Sequence, residues 1–154
     1  MNLIRVEKNN LAVYMNLSQH YEAEFSGITK KRPDGRGIYE LDTQLNENVN
    51  GYLLFVEGAP AGLAAIEAKP GSGYEVCEFY IAPYFRKQSL GLRFAHALWD
   101  MMPGMWEVKQ IAGAAYAKSF WRKTISNYKN SAFTEDKYQD PYWGPVTRQS
   151  FAIK

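Results

Sequence analysis

The residues best suited to chemistry in this chain lie in one short stretch, Glu78 to Leu92. Glu78-Phe79-Tyr80-Ile81 reads as the end of a strand that stops at Ala82-Pro83. Arg86-Lys87-Gln88-Ser89-Leu90-Gly91-Leu92 then leads into an apolar-periodic segment. A tight turn into a helix leaves the first backbone N–H groups without partners. With the helix dipole behind them, those donors suit a pyrophosphate. Ser89 and Gly91 are small enough to let an anion approach the backbone, and Arg86, Lys87 and Arg93 add positive charge. Glu78, just ahead of the turn, is the candidate general base, able to take a proton directly or through water. Glu75, farther from the turn, is a weaker alternate. By itself a basic loop before a helix is usually a solvated connection, and a strand glutamate as often pairs with a lysine.

These residues need a strand before the turn and a helix after it, and the surrounding pattern supplies both. Leu90 to Met102 carries Leu90, Phe94, Ala97, Leu98 and Met101 along one face and ends at Pro103-Gly104. Upstream, Leu3 to Glu7 alternates as a first strand, and Leu11 to Phe25 has helical spacing with Gly27 as its expected stop. A polar loop follows over 28–37, with a helical turn expected near Tyr39 to Leu45. Gly51–Glu57 and Ala61–Ala68 flank Gly58-Ala59-Pro60, a hairpin signal. Tyr74 to Ile81 is the next strand. Trp106 to Ile111 is a strand, Ala114 to Ile125 a helix, and Ala132–Tyr138 and Val146–Ile153 two final strands. The order predicts a single mixed α/β domain over residues 1–154.

Composition narrows the function classes. The chain has 154 residues, and 18 basic residues against 16 acidic ones leave a net charge of +2, too balanced for a nucleic-acid partner. No apolar run is long enough to span a bilayer. The charged N-terminus lacks a signal peptide's apolar stretch, so the expected location is cytoplasmic. Cys77 is the single cysteine, excluding an internal disulfide, and His20 and His96 have no metal-ligand spacing. No metal is expected. A lone strand cysteine without a neighbouring histidine also argues against an acyl-cysteine route.

Ile81-Ala82-Pro83 followed by Arg86, Ser89 and Gly91 resembles the GNAT superfamily of N-acetyltransferases. That family's pattern is a strand ending in Val/Ile-x-Pro and a loop Arg/Gln-x-x-Gly-x-Gly/Ala. A second family segment, Asn-x-x-Ala-x-x-Phe-Tyr, resembles Ala114 to Trp121, with Ala114 in place of Asn and Trp121 in place of Tyr. Ser89 likewise stands where glycine is usual. The likeness is firm over about residues 51–125 and is nearest to a small branch of predicted, poorly characterised acetyltransferases.

The resemblance implies a GNAT-like curved mixed sheet whose central parallel strands splay apart, flanked by helices. Acetyl-CoA would lie in the gap. Its pyrophosphate would rest on the amides from Arg86 through Lys87, Gln88, Ser89, Leu90 and Gly91 to Leu92. Its pantetheine arm would bond the edge of Phe79, Tyr80 and Ile81, with Phe120 and Trp121 near the thioester and an oxyanion donor around Ile81. The acceptor would be a primary amine of a small molecule or peptide, attacking directly. Tyr21, Glu22, Glu24 and Phe25 would border its cleft, while Lys30-Lys31-Arg32 reads as a mobile loop. Many relatives use a tyrosine as the acid. An indole N–H at Trp121 cannot replace it, which leaves Tyr116 and Tyr128 as candidates. The departures at Ala114 and Trp121 also admit a non-catalytic coenzyme-A-binding domain. Tyr142 and Trp143 leave a homodimer contact open.

Overall fold

The computed structural model describes residues 1–154. Its elements are β1 (Asn2–Arg5), α1 (Leu11–Thr29), β2 (Val49–Val56), β3 (Ala59–Lys69), β4 (Gly73–Ile81), α2 (Leu90–Met101), β5 (Gly104–Ile111), α3 (Ala115–Ser126), β6 (Thr134–Asp140) and β7 (Gly144–Ile153), with a single 3₁₀ turn at Pro83–Phe85. The strands form one sheet in the order β1-β2-β3-β4-β5-β7-β6, antiparallel throughout except for β4 and β5. No helix is long and apolar enough to cross a membrane.

Helices cover both faces, which is why the middle of β2 is apolar without alternation at Tyr52-Leu53-Leu54. On one face α1 packs Tyr14 and Leu17 against Leu53, Leu63 and Tyr80. On the other, Phe94, Leu98 and Trp99 of α2 and Trp121 and Ile125 of α3 bury Leu54, Ile66, Trp106 and Val108 in the larger core. Glu57 and Gly58, both at positive φ (50° and 80°), close the β2–β3 hairpin with the backbone twist that tight hairpins favour, so Ala59 and Pro60, expected in the turn, instead begin β3 opposite Val56 and Phe55.

Two expectations need correction. α1 does not stop at Gly27; it continues to Thr29 and ends where Lys30 turns left-handed (φ 62°) and donates its N–H to Ser26 O at 2.8 Å. Gly27 has nothing within 4 Å of its missing side chain, so the helix passes through it. No helical turn forms at 39–45 either. Gln19 binds both backbone groups of Tyr39 at 2.8 Å and holds that segment against α1 as an irregular loop.

The feature that makes the site is in the middle of the sheet. β4 and β5 pair at three positions, Tyr74↔Trp106, Glu75↔Glu107 and Val76↔Val108, and then separate. At the same place β4 is irregular against β3: Ile66 opposes Val76 but Ala65 opposes Glu78, leaving Cys77 as a bulge residue. A strand alternates faces with period two, so one extra residue exchanges the faces of all that follows. Tyr74 and Val76 pack with the α2/α3 core. After the bulge Phe79 and Ile81 continue on that face, and Glu78 and Tyr80 go to the α1 face.

Left-handed backbone marks both ends of this feature. Gly73 opens β4 at φ 99°, and a Cβ there would lie 2.1 Å from Met105 O. α2 is entered through Lys87 (φ 64°) and Ser89 (φ 57°), both left-handed without being glycine. Opposite outcomes are expected. Gly73→Ala loses about 2–4 kcal/mol in urea unfolding, from a strained φ plus a backbone clash. Ser89→Gly gains about 1 kcal/mol, raising Tm by about 2–4 °C.

Candidate active site

The separated strands enclose a cleft of about 350 Å³. From the α2/α3 side it is lined by Phe79, Val108, Gln110, Ala117 and Trp121. From the α1 side it is lined by Tyr21, Phe25, Asp42, Thr43 and Glu78, with Tyr138, Asp140 and Trp143 closing the far wall. It therefore runs through the sheet from one face to the other.

Glu78 sits where the two sides meet, 9% exposed. Thr43 Oγ1 donates to its Oε1 at 2.7 Å. Burial raises its pKa to about 7; hydrogen bonds from Tyr21 and Thr43 oppose the rise, and the charges of Glu22 and Asp42 add to it. The carboxyl therefore changes protonation near neutral pH. Glu75 has a different environment, with Lys69 at 2.6 Å and Lys109 at 2.9 Å, and both lysines also meet Glu107. This ion-paired set leaves Glu75 no free role as a base.

Beside Glu78 the loop after α1 brings a second set of charges together. Ligand oxygens of Glu22, Asp42 and Glu78 lie within 4.8 Å of one another. Lys31 Nζ meets Glu22 at 2.8 Å, Asp42 at 2.7 Å and the carbonyl of Glu40 at 2.8 Å. Lys31 is therefore held in place, correcting its reading as part of a mobile loop. Burial pulls its pKa down, but the hydrogen bonds to Asp42 and Glu22 outweigh this and hold the ammonium above its ordinary range. Sequence reasoning missed Asp42, Thr43 and the role of Lys31, because a loop without periodicity carries no signal of what it folds against.

The coenzyme residues expected from sequence fall along one path. Beyond Val76 the edge of β4 has no β5 partner, so the Phe79–Ile81 segment turns to the gap the alternate backbone groups that β3 does not take, with Ile81 O already bonded by Arg86. Phe79 packs its ring at 4.9 Å from Trp121 and 5.7 Å from Phe120. A Cβ on Gly91 would come within 3.0 Å of Phe120, so glycine is what lets the start of α2 approach this aromatic cluster. The first turn of α2 has no side-chain cap and no acidic residue, leaving the amides around Leu90, Gly91 and Leu92 free for an anion. Lys87, Gln88 and Ser89 are exposed at its mouth, while the side chain of Leu90 is buried in the core.

Arg86 does not provide the mobile charge expected of it. Its guanidinium forms a two-pronged pair with Glu24 at 2.8 and 2.7 Å, lies 5.6 Å from the centre of the Tyr80 ring, and donates from Nε to Ile81 O at 2.8 Å. It ties the loop to α1 and takes one carbonyl of the β4 edge. Its own backbone N–H is given to Pro83 O at 3.2 Å, so Arg86 braces the loop and leaves phosphate contacts to the amides that follow it.

The tyrosines named as acids are not brought to the cleft. Tyr128 is 5% exposed, donates its hydroxyl to Asp100 at 2.6 Å and packs on His96 and Trp99 within the large core. Tyr116 is 84% exposed on the first turn of α3 and does not line the cleft. Helical spacing places both near the second family segment, but their side chains leave it in other directions. Tyr21 and Tyr138 are the tyrosines that line the cleft. Trp143, considered above for a dimer contact, lines it as well, whereas Tyr142 is 75% exposed. Burial raises the Cys77 thiol to about 12, which suits a structural role at the bulge.

No family model matches the sequence, and no curated protein matches it significantly. Solved structures do match. The chain is similar to the ribosomal-protein-S18-alanine N-acetyltransferase from Escherichia coli at 14% identity, covering 99% of this chain and 94% of that one with a TM-score of 0.66. It is similar to the aminoglycoside acetyltransferase AAC(6')-Ib, a structure in complex with coenzyme A and kanamycin, at 17% identity, 98% and 94% coverage and a TM-score of 0.68. A spermidine N-acetyltransferase from Vibrio cholerae matches at 10% identity, 99% and 95% coverage and a TM-score of 0.65. These identities speak for the fold, and along its whole length this chain has the fold of the GNAT acetyltransferases.

Proposed function

We propose that this protein is an acetyl-CoA-dependent N-acetyltransferase acting on a primary amine of a small molecule or peptide. The observation that carries the reading is Glu78, a buried carboxyl with its pKa raised to about 7 at the meeting point of the two faces of the cleft. Support for the coenzyme comes from the unpaired β4 edge and the uncapped α2 terminus. Bound there, acetyl-CoA supplies the thioester that an amine attacks.

The residues of the chain divide the remaining work. Glu78 takes the proton that the amine nitrogen loses as its new bond to the acetyl carbon forms and the carbon–sulfur bond breaks. Thr43 and Tyr21 orient the carboxylate. Trp121, Phe79 and Phe120 form a water-poor wall beside the reacting carbon. The departing thiolate takes its proton from solvent, since Tyr116 and Tyr128 are out of reach. Glu22 and Asp42 favour a cationic acceptor, in keeping with structural neighbours named for aminoglycoside and spermidine acetylation. The alternative, a non-catalytic coenzyme-binding domain, rests on the Ala114 and Trp121 departures, but the environment of Glu78 favours catalysis.

The expected pH dependence has a definite sign. Glu78 must be ionised to accept a proton, so kcat/KM for the acceptor rises about tenfold per pH unit below about 7 and then levels. Because the folded pKa lies above the ordinary glutamate value of 4.5, the stabilisation from protonated Glu78 is complete below 4.5 and is lost as pH rises through about 7. Glu78→Gln should lower acetyl transfer about 100-fold or more, abolish the limb near 7 and retain acetyl-CoA binding by calorimetry. Unchanged turnover in that variant would remove Glu78 from the mechanism. Coenzyme binding with no acetyl-CoA consumption across an amine panel would favour the non-catalytic domain.

A further inference from the structure

One buried polar atom beside the cleft is left over by the mechanism above. Gln110, near the end of β5, is 4% exposed and lines the cleft just past the last β4–β5 pair, and its Oε1 has no hydrogen-bond partner in the protein. A buried amide oxygen left unpaired costs about 1–3 kcal/mol, so such an atom calls for an explanation.

The orientation of this amide is dictated from a distance. Gln110 Nε2 donates to Gln149 Oε1 at 2.7 Å, and Gln149 Nε2 donates to Glu135 Oε1 at 2.7 Å. Glu135 is itself gripped by Arg122 at 2.8 and 2.6 Å. Arg122 and Gln149 hold the Glu135 carboxyl down to about 2, so it is an ionised acceptor throughout the working pH range. An ionised carboxylate can only accept. Gln149 must therefore offer it an N–H, which leaves Gln149 Oε1 to accept from Gln110, and Gln110 Nε2 is committed. The one orientation left for Gln110 turns its nitrogen toward β7 and its oxygen to the other branch of the amide. Arg122 and Glu135 on the surface thus fix a hydrogen-bond acceptor beside the cleft.

We infer that Gln110 is a positioning residue for the coenzyme, its Oε1 accepting a hydrogen bond from a secondary-amide N–H of the pantetheine arm. The inference rests on the coenzyme reading above. Two observations favour the arm over the acceptor amine. Gln110 shares the parity of Trp106 and Val108 and faces α2 and α3 with Phe79 and Trp121, whereas Glu78, Tyr21 and Asp42 line the α1 side. It also lies on β5 opposite the unpaired edge of β4, so a ligand strand seated on that edge brings its second row of amide groups toward β5.

The test compares wild type, Gln110→Met with Gln149→Met, and Glu135→Gln, using acetyl-CoA and, separately, the adenosine bisphosphate half of the coenzyme, which lacks the arm. Replacing both glutamines removes the interior hydrogen bond without leaving either partner orphaned. The double variant is expected to melt within a few degrees of wild type and to bind acetyl-CoA about tenfold more weakly by calorimetry, with unchanged affinity for the bisphosphate. Glu135→Gln removes no atom from the cleft but frees the chain of amides to reverse, and a loss of about threefold is expected for acetyl-CoA alone. Equal acetyl-CoA affinity in the folded double variant would overturn the inference and leave the proposed function standing. So would a defect confined to the acceptor KM at saturating acetyl-CoA, which would move the contact to the other substrate. Equal losses for both probes would mark general damage to the site and overturn it too. Wild-type protein that binds neither probe would overturn the coenzyme reading and this inference together.

Discussion

The structure depends on the end of one parallel strand pairing. After Val76 and Val108 the β4 and β5 backbones cease to satisfy one another, and their unpaired groups face a gap in the middle of the sheet. Buried backbone groups without partners are costly, so such a gap is sustained only if something else meets them. The bulge at Cys77 coincides with the separation and changes which side chains reach the gap. Without the extra residue, Glu78 would share the parity of Val76 and point into the packed α2/α3 core, where its charge could not be sustained. With it, an aromatic wall and a titratable carboxyl stand on opposite faces of the same opening.

The two faces are then differentiated by what packs over them. On the α2/α3 side the cover is aromatic, with Phe79, Phe94, Phe120, Trp121 and Trp99 in mutual edge and tilted contacts. That side suits an extended apolar arm with occasional amides. On the α1 side three carboxylates, from Glu22, Asp42 and Glu78, lie close together, and the ammonium of Lys31 pairs with the first two. Burial is the main reason Glu78 keeps its proton to higher pH, and the negative charge of Glu22 and Asp42, only partly balanced by Lys31, adds to it. The neighbouring set of Glu75, Glu107, Lys69 and Lys109 is balanced two against two. Two carboxylates on one strand, three residues apart, thus differ because Glu78 is buried without a cation of its own while Glu75 is paired with two lysines.

The loop at the start of α2 makes a left-handed entry into the helix without a glycine. Ser89 adopts the left-handed conformation that glycine adopts without strain, and the helix starts from it with its first amides uncapped. The unfavourable φ is tolerated because the loop is tied at its other end: Arg86 spans Glu24 and Ile81 O. A side chain that reads in sequence as a ligand group instead holds the backbone that offers the ligand groups.

Much of the fold was legible from periodicity and punctuation. Strand and helix placement around 51–126, a hairpin near Gly58 and the loop at Arg86 to Gly91 followed from local patterns, since backbone geometry and burial repeat every two or 3.6 residues, while the candidacy of Glu78 leaned on the family resemblance. What the sequence could not decide were matters of direction and long-range partnership. Tyr116 and Tyr128 lie near the second motif in sequence, yet one faces solvent and the other Asp100. Lys31 looked like part of a solvated run until Glu22 and Asp42 met it from α1 and the following loop. The left-over oxygen of Gln110 depends on Gln149, Glu135 and Arg122 across three elements. The sequence by itself determined which elements form and where an anion could approach the backbone, because those follow from neighbours within a few residues. The tertiary structure decided which side chains enter the cleft and with what charge, because a one-residue bulge, a loop docking and a hydrogen-bond chain each act between residues far apart along the chain.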